Sequence, residues 1–190
     1  KSLHQQLAVH TQEVETENRD LSELSQTDVL TGLGNRRALE KTVNHWRGQA
    51  PSHASAALLM VDVDHFKRVN DTGGHDEGDR VLRALADEMR ASLRQSDMAV
   101  RYGGEEFVVW LPNTTQEGAL LSAQRLHDHV RAIQSLGQPV TISVGLASGT
   151  HGGTPDLLPR LLRDADRALY EAKGAGRNRT VVCTVDGVMP

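Results

Sequence analysis

RYGGEEFVVW, residues 101–110, decides how the rest of the chain is read. Two glycines precede two glutamates, and the glutamates lead straight into an apolar run. Residues without a Cβ reach φ > 0 and suit the tight turn of a β-hairpin. Two strands are therefore predicted, at 98–102 and 107–111, with Glu105 and Glu106 at the hairpin tip. The Gly103–Gly104 backbone beside them would admit close approach of a ligand. Adjacent carboxylates repel, and at least one of their pKa values rises unless a positive charge balances them. Solvated glutamates on an ordinary Gly-Gly turn would explain these four residues in isolation, so the surroundings must decide.

Working outward, AALLMVDVD (56–64) is a short apolar run ending in alternating acids, the pattern of a buried strand. A helix is predicted to begin near Asn35, with Leu39, Val43 and Trp46 on one face, and another from Asp79 with Leu82, Leu85, Met89 and Leu93 on one stripe. Trp110 reads as core. Beyond the hairpin come a helix over 116–134, a strand over 140–147, a helix over 156–173 and a strand over 180–184. The central order is β-α-β-β-α-β, an α+β, ferredoxin-like or palm-type core whose sheet contains antiparallel strands and is flanked by helices. In that topology the end of the first strand and the tip of the hairpin share one sheet edge. Asp62 and Asp64 should therefore approach Glu105 and Glu106, and such a cluster is a cradle for a hard cation such as Mg²⁺.

The flanks and the composition set limits. Leu3, Leu7, Val14, Leu21 and Leu24, with His10 and Glu17 completing the seam, give residues 1–26 coiled-coil spacing, or equally a single amphipathic helix lying on the domain. The predicted organisation is a stalk over 1–26, one domain over 27–185 and a tail over 186–190. A net charge of −4 leaves no basic footprint for nucleic acid. One cysteine, Cys183, excludes an internal disulfide framework and suits a reducing compartment, so this segment is expected to be cytoplasmic. No apolar run approaches the length of a membrane span. An anchor or sensor domain in a longer parent chain would be invisible here.

The sequence resembles the GGDEF, or diguanylate cyclase, family. GGEEF (103–107) stands as the signature, and DVLTGLGNRR (28–37), VDVDHFKRVND (61–71), GHDEGD (74–79), TISVG (141–145) and ADRALYEAKGAGRN (165–178) extend the match over 27–183. The resemblance implies an enzyme that joins two GTP into cyclic di-GMP with Mg²⁺, for which Mn²⁺ can substitute. It implies Asp62, Glu105 and Glu106 as the catalytic acids. The metal would be held by the Asp62 carboxylate, the Val63 carbonyl and Glu105, with Glu106 as a further contact or as the base. Asn70 and Asp79 would read guanine, while Lys67, Lys173 and Arg177, with backbone N–H groups near His65 and Phe66, would bind phosphates. Taken singly, Asp79 reads as a helix cap and Lys173 and Arg177 as ordinary helix-end cations. RQSD (94–97) matches an inhibitory product site, with Arg94 and Asp97 as its core and Arg125 in support. Two half-sites must meet, so a homodimer through the N-terminal helix is expected, under an upstream sensor or regulatory protein. The alternative is an inert domain that binds GTP or cyclic di-GMP as a signalling module. Gly73 departs from the family pattern, which often has an aromatic or larger residue there.

Overall fold

The computed structural model describes residues 26–152, 156–184 and 187–189. The predicted stalk over 1–26 lies outside them except for Gln26. A six-stranded sheet in the order β2-β3-β1-β6-β7-β8 organises the domain. Along the chain run α1 (Arg36–Gln49), β1 (Ser55–Val63), α2 (Phe66–Ser92), β2 (Met98–Arg101) and β3 (Glu106–Pro112). They are followed by α3 (Gln116–Val130), a small hairpin of β4 (Gln134–Ser135) and β5 (Gln138–Pro139), β6 (Ile142–Thr150), α4 (Leu157–Gly174), β7 (Thr180–Thr184) and β8 (Gly187–Met189). The βαββαβ core is present.

β1 is central and buried on both faces, which is why it reads as an unbroken apolar run. Ala57, Leu59, Val61 and Val63 pack under α2 and α3, against Val81, Leu85, Met89 and Leu126. Ala56, Leu58 and Met60 pack on the other face under α1 and α4, against Leu39, Val43, Leu161 and Leu169. Trp110 is fully buried in this second core, as expected. α4 lies directly on β6, because a Cβ on Gly145 would collide with the Ala165 carbonyl and the Leu169 N–H. That close approach fixes where the C-terminal end of α4, with Lys173, emerges.

Four expectations need correction. α2 begins at Phe66 and is broken at Gly74 (φ 80°, ψ 170°), so the pattern seen from Asp79 is only its second half. α3 ends at Val130, where bonds from Ala132 N–H to the His129 carbonyl and from Ile133 N–H to the Val130 carbonyl tighten the turn. Ile133 then enters the core three residues after Val130, so the helical apolar spacing runs on past the true end. Gly187–Met189, inside the expected tail, pairs antiparallel with β7. The GGEE turn uses no left-handed glycine, since neither Gly103 nor Gly104 is among the positive-φ residues. A Cβ on Gly104 would meet nothing within 4 Å, which leaves that backbone open on one side.

Candidate active site

The antiparallel register of β1 and β3 places Asp62 opposite Glu106, and the Val63 N–H points to the Glu105 carbonyl at 3.4 Å. The two acidic segments therefore do meet at one sheet edge. Asp62 is buried, and its Oδ2 lies 2.8 Å from Lys173 Nζ. Burial pushes the Asp62 carboxyl above its ordinary range in spite of that lysine, and Asp64 adds to the effect. Glu105 is likewise pushed up, first by burial and then by the charge of Asp62. These two acids are under-compensated by the protein alone.

Asp64 has the opposite environment. Its carboxylate accepts from Thr141 Oγ1 (2.7 Å), Ser143 Oγ (2.6 Å) and the Asn178 N–H (3.0 Å). It ties the end of β1 to β6 and to the turn after α4, and it does not face the cleft with Asp62.

A cleft of about 430 Å³ opens at this edge. Asp62, Val63 and Glu105 line it together with Lys67, Lys173 and Arg177. His65 and Phe66 complete it at the start of α2. His65 is the N-cap of α2 in left-handed geometry (φ 57°) and makes no side-chain cap bond. The first N–H groups of any helix lack intrahelical partners and form a natural anion site. Arg177 (φ 65°) and Asn178 (φ 48°) are also left-handed, so unusual backbone gathers around the cleft, as it does at functional sites. Arg68 and Asp71 line it too, a contribution the sequence reading missed; their one signal is a place on the same helical turn as Lys67.

The remaining expected residues lie off this cleft. Glu106 lies over Gly103, where an added Cβ would come within 3.0 Å of its Oε2. Asn70 packs against Gly78 so closely that a Cβ there would collide with Oδ1, and the Phe66 ring closes the same spot. Gly78 thus seats Asn70 immediately before Asp79, whose Oδ2 lies 3.8 Å from Arg83. In RQSD, Asp97 accepts from the Arg94 N–H at 3.0 Å, and the Arg94 side chain is exposed. Arg125 donates to Ser122 Oγ at 2.9 Å. The 2.8 Å contact of His129 with Glu88 sets the register of the antiparallel α2 and α3. Arg125, one turn before His129, therefore lies toward the Arg94 end of α2.

A support that sequence reading did not single out is Asp28. It accepts from the Thr31 N–H (2.8 Å) and Oγ1 (2.6 Å) and from Arg101, while Arg101 also donates to the Gly104 carbonyl at 2.7 Å. Burial acts upward on Asp28, but the Thr31 and Arg101 hydrogen bonds hold its carboxyl below the ordinary range. The hairpin tip is thereby tethered to the start of the domain.

The donor set fits a hard divalent cation: two carboxylates of raised pKa beside a backbone carbonyl, facing cationic groups suited to phosphate. Among the described residues no three acidic, histidine or cysteine side chains gather into a metal-holding cluster. The sequence matches the family described as "Diguanylate cyclase, GGDEF domain" over residues 25–179. The chain belongs to the GGDEF family. It is 41% identical over 172 residues to the response regulator PleD of Caulobacter vibrioides, covering 84% of this chain and 36% of PleD, so it spans about a third of that relative. Its structure resembles that of the Pseudomonas aeruginosa diguanylate cyclase SiaD in complex with its activator SiaC (TM-score 0.75, 37% identity, 95% of this chain and 70% of that one). It also resembles the coiled coil and GGDEF domain of DgcB from Caulobacter crescentus in complex with c-di-GMP (TM-score 0.74, 30% identity, 96% of this chain and 100% of that one). Among the described residues no helix of this GGDEF chain is long and apolar enough to cross a membrane.

Proposed function

We propose that this chain is a diguanylate cyclase, joining two GTP into cyclic di-GMP and releasing two pyrophosphates. The observation that carries the reading is the Asp62–Glu105 pair, both acids raised in pKa, in a cleft that Lys67, Lys173 and Arg177 also line. Such a pair complements a metal-chelated triphosphate. Asp62, the Val63 carbonyl and Glu105 would hold Mg²⁺ or Mn²⁺, and Glu106 would serve as the base rather than as a further contact. The ion would supply charge neutralisation on the triphosphate and on the departing pyrophosphate.

The protein's own groups do the rest. Lys67, Lys173 and Arg177 bind the β- and γ-phosphates with the N–H groups at the start of α2. Lys173 would exchange the Asp62 carboxylate for phosphate as nucleotide enters. Asn70 and Asp79 read guanine, because a carboxylate accepts from both N1–H and the 2-amino group, a donor pair adenine lacks. The open Gly104 backbone leaves room for the nucleotide.

In each transfer the 3′-oxygen of one GTP attacks the α-phosphorus of the other, and the bond to pyrophosphate breaks. The 3′-hydroxyl proton passes to Glu106, and a second identical transfer closes the ring. One chain holds one GTP, so two chains must face each other across a two-fold axis. The heptad spacing over 1–26 would raise their effective concentration. Cyclic di-GMP bound by Arg94, Asp97 and Arg125 would inhibit by holding two domains where their half-sites cannot meet. With GTP as substrate, the activity belongs in the cytoplasm.

Incubating the purified chain with GTP and Mg²⁺ and separating the nucleotides tests the proposal. Cyclic di-GMP with two equivalents of pyrophosphate is expected. Binding of GTP with no conversion would contradict it and make the chain a nucleotide-binding signalling module.

A further inference from the structure

The break in α2 separates the two groups assigned to the guanine. Asn70 sits before Gly74 and Asp79 after it, and Asn70 packs across the break onto Gly78, the residue before Asp79. The small hairpin over 134–139, which replaces the expected end of α3, grips that break from outside.

Its two-residue loop, Leu136–Gly137, has φ of 52° and 76°, the type I′ form. Glycine suits this geometry, whereas a leucine is held there against backbone preference and needs surrounding contacts to persist. Leu136 reaches Gly73: a Cβ on that glycine would come within 3.2 Å of Leu136 Cδ2 and within 2.7–2.8 Å of the Glu77 stem. Leu136 and Glu77 thus both lie beside Gly73, which itself stays exposed.

Polar contacts complete the grip. Glu77 Oε1 accepts from Ser135 Oγ and Arg80 Nη2, each at 2.7 Å, and Glu77 Oε2 accepts from Arg80 Nε at 2.7 Å. Arg80 also donates to the Gln134 carbonyl at 2.6 Å. Arg80, and secondarily Ser135, hold the Glu77 carboxyl down at about 2. An exposed ion pair alone is worth little, but a bidentate fork joined by a buried hydroxyl fixes orientation. A cavity of about 250 Å³ lies between the hairpin and the first half of α2, lined by Arg68, Val69 and Thr72 and by Ser135, Leu136 and Gln138. The hairpin meets α2 at the break, where Leu136 reaches Gly73 and where Ser135 and the Gln134 carbonyl meet Glu77 and Arg80.

We infer that the 134–139 hairpin is a clasp that sets the base-reading gap, with Ser135, Leu136 and Glu77 as positioning residues that hold Asn70 and Asp79 at the spacing one guanine requires. The inference rests on the cyclase reading for the identity of the base. The test compares Ser135→Ala, Glu77→Gln and the conservative Ser135→Thr with the parent, measuring GTP affinity by calorimetry, KM and kcat for GTP and for ATP, and the urea midpoint. Ser135→Ala and Glu77→Gln should raise the Kd and KM for GTP about five- to tenfold, a modest loss of affinity. Their kcat should stay within about twofold and their preference for GTP over ATP should narrow, the signature of lost positioning. Ser135→Thr should restore the parent values.

Unchanged GTP affinity in both variants would overturn the clasp, and so would a loss that follows the urea midpoint and that Ser135→Thr fails to rescue. A parent chain that binds GTP without turnover would defeat the cyclase reading alone, and the clasp would then stand or fall on the calorimetric Kd. A parent that binds no guanine nucleotide would overturn both.

Discussion

Asp62 and Asp64 are two residues apart in VDVD and indistinguishable by type, yet the fold gives them opposite work. Asp64 is saturated by two hydroxyls and a backbone N–H, and it locks three segments together. Asp62 has one lysine for a partner and stands against Glu105, with its carboxyl raised in pKa. One acid is spent on structure. The other is held at a disadvantage that a cation would relieve. Under the proposed function, this is a site that trades stability for chemistry.

The largest effect expected from this contrast is on turnover. Asp62→Asn or Glu105→Gln should lower cyclic di-GMP synthesis by about a thousandfold or more, since each removes a proposed metal-holding group, while circular dichroism stays that of the parent. Near-normal synthesis in either variant would break the contrast on its catalytic side.

Stability should move the other way. Asp64→Asn leaves buried donors unpaired and should cost about 2–4 kcal/mol, seen as a Tm lowered by about 5–15 °C for a chain of this size. Asp62→Asn should match or exceed the parent Tm at neutral pH. The sign follows from linkage: a carboxyl raised above its unfolded value destabilises the fold as pH rises through that interval. Without metal, the parent should therefore gain stability on mild acidification from neutrality toward the ordinary carboxylate range. A Tm that falls throughout that interval, after allowance for the Asp62→Asn baseline, would contradict the raised values.

Two smaller effects sharpen the contrast by leaving both aspartates untouched. Asp79→Ser should erode the preference for GTP over ATP by about ten- to a hundredfold, because one hydroxyl cannot satisfy two guanine donors. An unchanged preference would place base reading elsewhere. Arg94→Ala should raise the inhibitory concentration of cyclic di-GMP by about tenfold, the loss of one charge-assisted contact, with initial rates near those of the parent. If inhibition is unaltered, any feedback acts at the active site.

Much of this could be read from residue types and spacing. The period-2 and apolar patterns locate β1, β3 and β7, and the βαββαβ order brings Asp62 to the Glu105 hairpin. The partition between Asp62 and Asp64 could not be read, because it depends on Thr141, Ser143 and Asn178, residues 77 or more positions away. The break in α2 was hidden because Gly73 and Gly74 erase the apolar stripe that would have marked its first half. The 134–139 hairpin was hidden because Ile133 continues the spacing of α3 and a leucine is an unexpected occupant of a left-handed turn position. The GGEE turn was located for a partly wrong reason: neither glycine takes a positive φ, and it is Gly104 that supplies open backbone.

The most direct test of the central claim is the Tm of the parent, Asp62→Asn and Asp64→Asn chains with GTP present, each measured with and without Mg²⁺. Ligands that bind only the folded state raise Tm. A magnesium-dependent rise is expected in the parent, a similar rise from a lower baseline in Asp64→Asn, and none in Asp62→Asn. A full magnesium-dependent rise in Asp62→Asn would contradict it.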